Sequence, residues 1–350
     1  MMEPFCIPFD PEEHGHLPVS RNSERKAFTW CRQQWYWRYI DQIVPKEIYI
    51  PFSFGDLIHK ALGDWYIPGR ERGPHPAESF RRYYDLVDRR FNIRDQDTKQ
   101  WEGAEELGVA ILNNYVDTYG EDDDWEVISP EMPFQVVLLD KNGEPYVRVI
   151  GRMDAVVRSI STGRLKMLEH KALSSIRINH LTLDDQAGTY WTFGQEHLRH
   201  LGLLEEDEMI DEVLYNILRK AKPDPRPRDD KGRYLNKDGT VSKKQPAPYF
   251  ERYPVRRGRH EMEMIVDRIR KQTWEIGLVK DGKLPIYKST GLQCTRCRYF
   301  SLCELHEAGA DWEEFVKLSF TKRHPYEDYE EAAANLERQA EEVDSKKKRK

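Results

Sequence analysis

The sequence predicts an α/β fold, in which strands and helices share one core. Two observations support this prediction, one on the order of the elements and one on the size of the chain. Helical patterns come first and a meander of three strands follows, and then a further helix leads to a further strand. In addition, the chain has 350 residues, of which 39% are hydrophobic, so it can bury one large core. A helical bundle or a β-sandwich would not show this order.

The first helix is predicted over "SFGDLIHKALGDWY". Ser53, with Asp56 three residues later, has the pattern of a capping box, and apolar residues follow at helical spacing. His59 lies on this helix. Two further helical patterns, near residues 76–91 and 99–119, lead to the acidic segment "GEDDDWE".

Three antiparallel strands are predicted next. They are "MPFQVVLLD", "YVRVIGRMDAVVRSI" and "RLKMLEHKAL", joined by turns at "KNGEP" and "STG". The stretch "TLDDQAGTYWTFGQEHLRH" returns to helix, with Thr182 and Asp185 as a second capping box. A further strand is predicted at "EVLYNILRK".

The second turn predicts a pair of facing carboxylates. If "ISTG" is a four-residue hairpin loop, Ser159 pairs with Arg164, and Asp154 lies opposite Glu169. Opposed Cβ atoms are about 4.5–5.5 Å apart, so the two carboxylates repel unless a cation separates them. Lys171 projects on the same side as Glu169, because side chains alternate along a strand. Mg²⁺ or Mn²⁺ would suit these ligands, and an ordinary exposed cross-strand network is the alternative.

These motifs resemble those of the PD-(D/E)XK nuclease superfamily. "GRMD" followed by "EHK" is similar to its split Asp and Glu-x-Lys core, while "GDLIH" and "QAGTY" are similar to the histidine and Gln-x-x-x-Tyr motifs of RecB-type nucleases. The resemblance extends from Cys31 to Cys303. It implies a restriction-endonuclease-like core, a mixed β-sheet flanked by helices, with helical insertions and a metal-cluster staple between N-terminal and C-terminal segments.

The resemblance also implies the residues of the site. The implied catalytic residues are Asp154, Glu169, Lys171, Gln186 and Tyr190. The implied metal ligands are His59, Asp154, Glu169 and, through its backbone carbonyl, His170. An imidazole ligand shifts the preference from Mg²⁺ toward Mn²⁺. Gln186 and Tyr190 share a helix face, which would position DNA or the lysine. Ala172 departs from relatives that often carry a small hydroxyl residue there.

Three of the five cysteines, Cys294, Cys297 and Cys303, lie within ten residues of one another. In a reducing compartment such a cluster indicates metal ligands or catalytic thiols rather than disulfides. The spacing resembles the C-terminal triplet of the iron-sulfur subgroup of these nucleases, which includes CRISPR-associated exonucleases and has its fourth cysteine far upstream. Cys31 occupies that place, whereas Cys6 lies outside the pattern. Four thiolates suit a [4Fe-4S] cluster or a tetrahedral Zn²⁺, and the resemblance favours the cluster.

Two regions have compositions that suit nucleic acid. Around Cys31, basic residues alternate with aromatic ones, so Arg32 and Trp35 are predicted to contact single-stranded DNA together with the Gln-x-x-x-Tyr motif. The alternative is that these aromatics pack in the interior. From Arg219 to His260 there are fourteen Lys and Arg against five Asp and Glu, and an Asp-Gly turn predicts a hairpin flap over the DNA path.

One nuclease domain is predicted over residues 1–330. Its predicted parts are the cluster and histidine-motif helices (21–66), a helical insertion (74–120), the catalytic core (130–220), a basic loop or hairpin insertion (222–255), and a C-terminal helix with the cysteine triplet (256–308). Residues 331–350 are predicted to be a charged, disordered tail.

The predicted function is that of a metal-dependent DNA exonuclease acting on single-stranded or frayed ends. Recombination, replication or CRISPR-linked DNA processing would be its setting, with recombination or CRISPR adaptation proteins as partners. We expect a cytoplasmic protein of a bacterium or phage-infected host, because the sequence has no apolar stretch of membrane length and no signal-peptide pattern. Two alternatives stay open: a non-catalytic nucleic-acid-binding module with a structural metal cluster, and an RNA-directed nuclease.

Overall fold

The computed structural model describes residues 5–46, 50–90 and 98–326. The strands in these residues are β1 (Cys6–Pro8), β2 (Val19–Arg21), β3 (Ile43–Pro45), β4 (Trp125–Leu139), β5 (Pro145–Ser159), β6 (Leu165–Leu173), β7 (Glu212–Arg219), β8 (Phe250–Val255) and β9 (Phe320–Lys322). The α-helices are α1 (Pro11–His14), α2 (Asn22–Trp30), α3 (Arg32–Trp35), α4 (Ile50–Trp65), α5 (Pro76–Arg90), α6 (Thr98–Tyr119), α7 (Asp185–His200), α8 (Arg259–Lys280), α9 (Phe300–Glu307) and α10 (Trp312–Ser319).

A mixed sheet of seven strands forms the centre of the molecule. Its order is β1-β4-β5-β6-β7-β8, and β2 pairs with β5 in parallel. Strands β4, β5 and β6 form the antiparallel meander that the sequence predicts. Strand β7 runs parallel to β6, and the chain between them passes through α7. The prediction of an α/β fold with a mixed sheet flanked by helices is confirmed.

Helices cover both faces of this sheet. One buried core contains residues of α7 and α8, and a second contains residues of α4, α5 and α6. Strand β7 contributes to both cores, because Val213, Tyr215 and Ile217 lie in the first and Leu214 and Leu218 in the second. A strand that is buried on both faces needs apolar residues at nearly every position, which explains the apolar run from Val213 to Leu218, interrupted only by Asn216.

The predicted register of the second hairpin is confirmed. The backbone N–H of Ser159 donates to the carbonyl of Arg164 at 2.9 Å, and the paired positions continue to Ala155 opposite Leu168. The ladder stops there, one residue before Asp154 and Glu169. These two residues therefore come next in register at the place where β5 and β6 cease to pair.

The predicted capping box of α4 is wrong. The helix begins at Ile50, so Ser53 lies inside it rather than at its N-cap. Pro51 suits the first turn of a helix, because the backbone N–H that proline lacks would have no partner there.

The second predicted capping box is also wrong. Helix α7 begins at Asp185, and its N-cap is Asp184, whose side chain accepts a hydrogen bond from the backbone N–H of Gln186. Thr182 is not available as a cap because it lies in a preceding 3₁₀ turn, Leu181–Leu183. The buried hydroxyl of Tyr215 donates to the carbonyl of Leu181 and holds this turn in place.

Segments that are distant in sequence pack against each other. Trp35 is buried with Ile276 of α8, and Trp37 stacks on Tyr299 with ring centroids 5.9 Å apart. Strand β3 pairs with β9 to form a separate two-stranded sheet. Side-chain packing and backbone pairing therefore join the region around Cys31 to the region of the cysteine triplet.

The predicted turn in the basic insertion is present. Asn236 N–H donates to the carbonyl of Thr240, and Gly239 has a φ of 81°, a conformation that glycine adopts without strain. Only isolated bridges flank the turn, so it lacks the two short strands that the sequence predicts. The domain boundaries stay predictions, and the tail at 331–350 lies outside the described residues. None of the helices in the described ranges has both the length and the apolar character needed to cross a membrane.

We expect Gly108→Ala to destabilise the protein by about 1–3 kcal/mol, because it overpacks the contact between α5 and α6. A Cβ at Gly108 would lie 2.1 Å from the Phe80 ring. Gly103→Ala, in the same helix and with open space around it, is the matched control. It should raise the free energy of unfolding by up to about 1 kcal/mol, because alanine has a higher helix propensity than glycine. Denaturant unfolding of both variants measures the difference, and equal effects would contradict the close contact.

Candidate active site and metal centre

Asp154 lies at the centre of the candidate site, and each of its oxygens has a partner. His59 Nδ1 lies 3.2 Å from Oδ1, and the backbone N–H of His170 donates to Oδ2 at 2.7 Å. Burial alone would raise the pKa of Asp154, but the neighbouring His59 outweighs burial and holds it well below its usual range. Burial likewise opposes protonation of His59, yet Asp154 raises the pKa of that imidazole to about 9. Each of the two groups therefore stabilises the charged form of the other.

Glu169 and Lys171 project from the end of β6 beside this pair. Lys171 Nζ donates to Glu169 Oε1 at 2.6 Å and lies 3.7 Å from Asp184 Oδ2. Burial raises the pKa of the fully buried Glu169 to about 7, although Lys171 opposes the shift. Asp184 is also the N-cap of α7. One carboxylate therefore fixes both the start of α7 and one side of Lys171.

Glu131 is a member of the site that the sequence analysis missed. Ligand atoms of His59, Glu131 and Asp154 all lie within 4.8 Å of one another. On β4, Pro130 pairs with Ala155 and Met132 with Met153, so Glu131 faces Asp154. Arg152 Nε lies 2.9 Å from Glu131 Oε2. Burial and the charge of Asp154 raise the pKa of Glu131 to about 7.

The backbone around Glu131 is adapted to this position. Its φ is 43°, in the left-handed region that residues other than glycine seldom adopt. A Cβ at Gly63 would lie 2.8 Å from Glu131 Cγ, so this glycine lets α4 approach the strand. Gly63 is one helical turn after His59, and α4 therefore presents a histidine and a gap for a glutamate on the same face.

The donor set fits a divalent cation. Glu131 Oε1 and Glu169 Oε2 are buried and have no hydrogen-bond partner in the described residues, while Arg152 and Lys171 contact the other oxygen of each carboxylate. A buried acceptor without a partner costs about 1–3 kcal/mol or more when it is charged. Carboxylate oxygens are the ligands that Mg²⁺ and Mn²⁺ prefer, and one imidazole suits Mn²⁺.

Tyr190 and Gln186 lie on α7, and Tyr190 is near Glu169. The Tyr190 ring is buried edge-to-face on Phe134, with centroids 5.6 Å apart, and Gly151 leaves the space that the ring needs. Burial, with a further contribution from the charge of Glu169, raises the pKa of Tyr190 to about 12. Gln186 is half-buried in the first turn of the helix. Tyr190 is therefore close enough for the charge of Glu169 to act on it, and the predicted roles of Gln186 and Tyr190 stay predictions.

The His170 side chain points away from the carboxylates into a buried polar network. Its Nδ1 lies 2.9 Å from Asn216 Nδ2, and its ring stacks on Tyr66 at 5.8 Å. Asn216 also donates to the Tyr115 hydroxyl at 2.8 Å. Burial lowers the pKa of His170 to about 4, so the imidazole is neutral. The predicted ligand is the His170 backbone carbonyl, and that role stays a prediction.

The network continues to Arg252 on β8. Tyr66 donates to Asp122 Oδ2 at 2.8 Å, and Arg252 binds both oxygens of Asp122. Arg252 also donates to the Tyr115 hydroxyl at 3.1 Å. These buried bonds hold the sheet rigidly behind His170, whose backbone N–H orients Asp154.

The predicted DNA contact at Trp35 is wrong. The indole is fully buried, packs edge-to-face on Phe28 at 5.1 Å and donates to Glu24 Oε1, so neither ring face is open to a base. Arg32 is also engaged, because its guanidinium pairs with Glu275 and lies 4.8 Å over the Tyr287 ring. Both residues join the N-terminal segment to the region of α8, since the apolar side of these helices has to be covered.

The four candidate cluster cysteines lie in one region of the structure, since Cys31 contacts the segment that leads to the cysteine triplet. Burial raises the pKa of Cys297, and the thiols of Cys31, Cys294 and Cys303 raise it further. Ser289 N–H contacts Cys31 Sγ at 3.5 Å. No three of these sulfurs, all in described residues, lie within 4.8 Å of one another. A tetrahedral zinc ion with bonds of about 2.3 Å would draw them to roughly 3.8 Å, so the arrangement is wider than a closed zinc site.

Comparisons with known proteins give one family. A family model described as the PD-(D/E)XK nuclease superfamily matches residues 22–304, which is more than half of the chain. No curated protein matches the chain. Among solved structures, a crystal structure from Eubacterium rectale, described as a "Putative exonuclease", is 12% identical with a TM-score of 0.43. The alignment covers 83% of this chain and 93% of that one.

We expect Glu131→Gln to weaken Mn²⁺ binding by at least about tenfold, because it removes one anionic ligand. Glu144→Gln, at the exposed β4–β5 turn, makes the same chemical change away from the site. Isothermal titration of each protein with Mn²⁺ gives the two affinities. Equal Kd values for the two variants would mean that Glu131 does not bind the ion.

Proposed function

The chain belongs to the PD-(D/E)XK nuclease superfamily, and from this premise we propose that it is a divalent-metal-dependent nuclease that hydrolyses phosphodiester bonds of DNA. One observation supports the proposal most strongly. Ligand atoms of His59, Glu131 and Asp154 lie within 4.8 Å of one another, and the charge of Glu169 acts on both His59 and Asp154. One oxygen of Glu131 and one of Glu169 have no partner among the described residues. A module that only binds nucleic acid would gain nothing from buried carboxylates, because they repel phosphate.

Each side chain has a role in this proposal. His59, Glu131, Asp154 and Glu169 would hold the cation, which when bound polarises the scissile phosphate and lowers the pKa of a water molecule. Lys171 Nζ lies between Glu169 and Asp184, both of which raise its pKa against the effect of burial. A protonated Nζ held there would hold the attacking water or donate to the phosphate oxygens as charge develops on them. Gln186 and Tyr190 would position the substrate strand.

The finer part of the proposal concerns the substrate. We assign the chain to the RecB-like type, and we infer an exodeoxyribonuclease that acts on single-stranded or frayed DNA ends. The histidine motif and the Gln-x-x-x-Tyr motif support the type, since His59 pairs with Asp154 and the charge of Glu169 acts on Tyr190. Recombination, replication or CRISPR-linked processing in a bacterial or phage-infected cytoplasm would supply such ends.

We further propose that Cys31, Cys294, Cys297 and Cys303 hold a [4Fe-4S] cluster. The sulfurs are neighbours but are spread more widely than the ligands of a single zinc ion. A four-iron cluster is larger than one ion and needs its thiolates further apart. The packing of Trp37 on Tyr299 would then support the cluster from one side.

Cleavage of linear and covalently closed circular single-stranded DNA tests the nuclease proposal. With Mn²⁺ or Mg²⁺ the protein should degrade the linear strand and leave the circle intact, and a chelator should stop the reaction. Cleavage of the circle would contradict the exonuclease assignment. Retained DNA binding with no cleavage of either strand would favour a binding module.

We expect Lys171→Ala to lower the rate of cleavage by about 10²–10³-fold while DNA binding stays within twofold. The reason is that the lysine stabilises negative charge that develops only in the transition state of cleavage. Lys166→Ala, on the same strand and paired with Glu212 at 3.0 Å, is the matched control and should keep full activity. End-labelled DNA and a binding titration in chelator give the two readouts. Parallel loss of binding and cleavage would make Lys171 a structural residue.

We expect Cys297→Ser in anaerobically purified protein to lower iron and sulfide content together with the Tm, because one cluster ligand is lost. Cys6→Ala, outside the cysteine pattern, should leave the metal content unchanged. Elemental analysis of both proteins measures iron and zinc. Stoichiometric zinc in the unmodified protein would mean that the four cysteines bind Zn²⁺ and not a [4Fe-4S] cluster.

A further inference from the structure

We propose that residues 222–249, the part of the basic insertion that precedes β8, form a preformed clamp on the phosphate backbone of the substrate strand. This inference rests on the proposed nuclease function and extends it to how the strand is held. The insertion contains eight Lys and Arg against four Asp and Glu, in a chain whose net charge is -6. Its position, its rigidity and its unpaired charges each support the clamp.

The insertion begins and ends at the edge of the sheet where Lys171 lies. Lys171 is opposite Ile217 in the parallel β6–β7 pair, and the backbone N–H of Lys220 donates to the carbonyl of Leu173 at 2.7 Å. Arg219, the last residue of β7, donates to the carbonyls of Ala247 and Pro248 at 2.8 and 2.9 Å. Both ends of the insertion are therefore fixed close to the end of the strand that carries Lys171.

The insertion is held in shape by its own side chains. Arg226 binds both oxygens of Asp224 and donates to Ser242 Oγ at 2.8 Å and to the carbonyl of Lys244 at 3.0 Å. The hydroxyl of Tyr249 accepts a hydrogen bond from Asp224 N–H at 2.9 Å. One arginine thus connects the first residues of the insertion to residues near its end.

A small core supports the other half of the insertion. Tyr234 is buried, and the guanidinium groups of Arg226 and Arg228 lie 5.4 and 4.6 Å from its ring centroid. Gln245 accepts a hydrogen bond from the Tyr234 N–H and donates to its carbonyl. A segment ordered in this way loses less conformational entropy on binding than a flexible loop would.

The insertion brings together several exposed lysines that have no carboxylate partner in the described residues. Within residues 222–249, these lysines are Lys231, Lys237, Lys243 and Lys244. Elsewhere, exposed lysines are commonly paired, as Lys271 is with Asp267 and Lys283 with Asp281. Unpaired ammonium groups held on a rigid frame are available to phosphates, and their field extends over a Debye length of about 8–10 Å.

Replacing these four lysines by alanine in the full chain tests the clamp. The probe is a single-stranded oligonucleotide, and its binding is measured in chelator over a series of salt concentrations. Each neutralised phosphate contributes about 0.7 to the slope of log affinity against log salt, so the slope should fall by about 2–3. At low salt the affinity should fall at least about tenfold. Hydrolysis of a dinucleotide with Mn²⁺ should stay within twofold, because the site itself is unchanged.

A second fourfold variant controls for the loss of charge. Its substitutions, all at exposed lysines outside the insertion, are Lys141→Ala, Lys271→Ala, Lys283→Ala and Lys317→Ala. It changes the net charge equally and should keep the original salt slope.

The outcomes separate the clamp from the nuclease proposal. A smaller slope in the insertion variant alone supports the clamp. Equal slopes in the two variants, with oligonucleotide and dinucleotide both hydrolysed by the unmodified protein, would overturn the clamp and leave the nuclease proposal intact. If the unmodified protein hydrolyses neither substrate, the nuclease proposal fails, and the clamp inference fails with it.

Discussion

The site is governed by the cost of placing the carboxylates of Glu131, Asp154 and Glu169 close enough for their charges to interact at a site that is largely shielded from solvent. In a protein interior, like charges at this distance cannot all stay ionised without compensation. Neighbouring donors and cations compensate the three carboxylates unevenly. Asp154 has a partner at both oxygens, whereas Glu131 and Glu169 are each neutralised at one oxygen and left open at the other. The two open oxygens keep negative charge that a bound cation would compensate.

Much of the surrounding architecture follows from that requirement. Helix α4 has to approach the sheet closely enough for its histidine to reach Asp154, and Gly63 removes the Cβ that would collide with Glu131. Strand β6 has to stay in register with β5 up to the residue before the carboxylates. The polar network behind His170 supports that strand, because hydrogen bonds link His170 to Asn216 and Asn216 to Tyr115.

Local patterns in the sequence predicted the β5–β6 hairpin, and with it the Asp154–Glu169 pair, because a short loop fixes its own register. They did not predict Glu131. Counting back from the β4–β5 turn would place Pro130 opposite Asp154. A β-bulge between Leu138 and Leu139 shifts the pairing by one residue, so Glu131 faces Asp154 instead. They also did not predict that Trp35 is buried. Alternating basic and aromatic residues are typical of a DNA-binding surface, but they also occur where arginines cover a buried indole. The burial of Trp35 depends on α8, more than two hundred residues away.

That long-range packing has a consequence for biosynthesis. Strand β3 pairs with β9, and Ile43 lies opposite Lys322, about 280 residues later. A ribosome that adds about 5–20 residues per second needs roughly 14–56 s to synthesise the chain between them. During this time the meander and its helices can begin to fold, while Trp37 still lacks Tyr299. The nascent polypeptide therefore carries an exposed aromatic segment for most of its translation, and chaperones have a defined window in which to bind it.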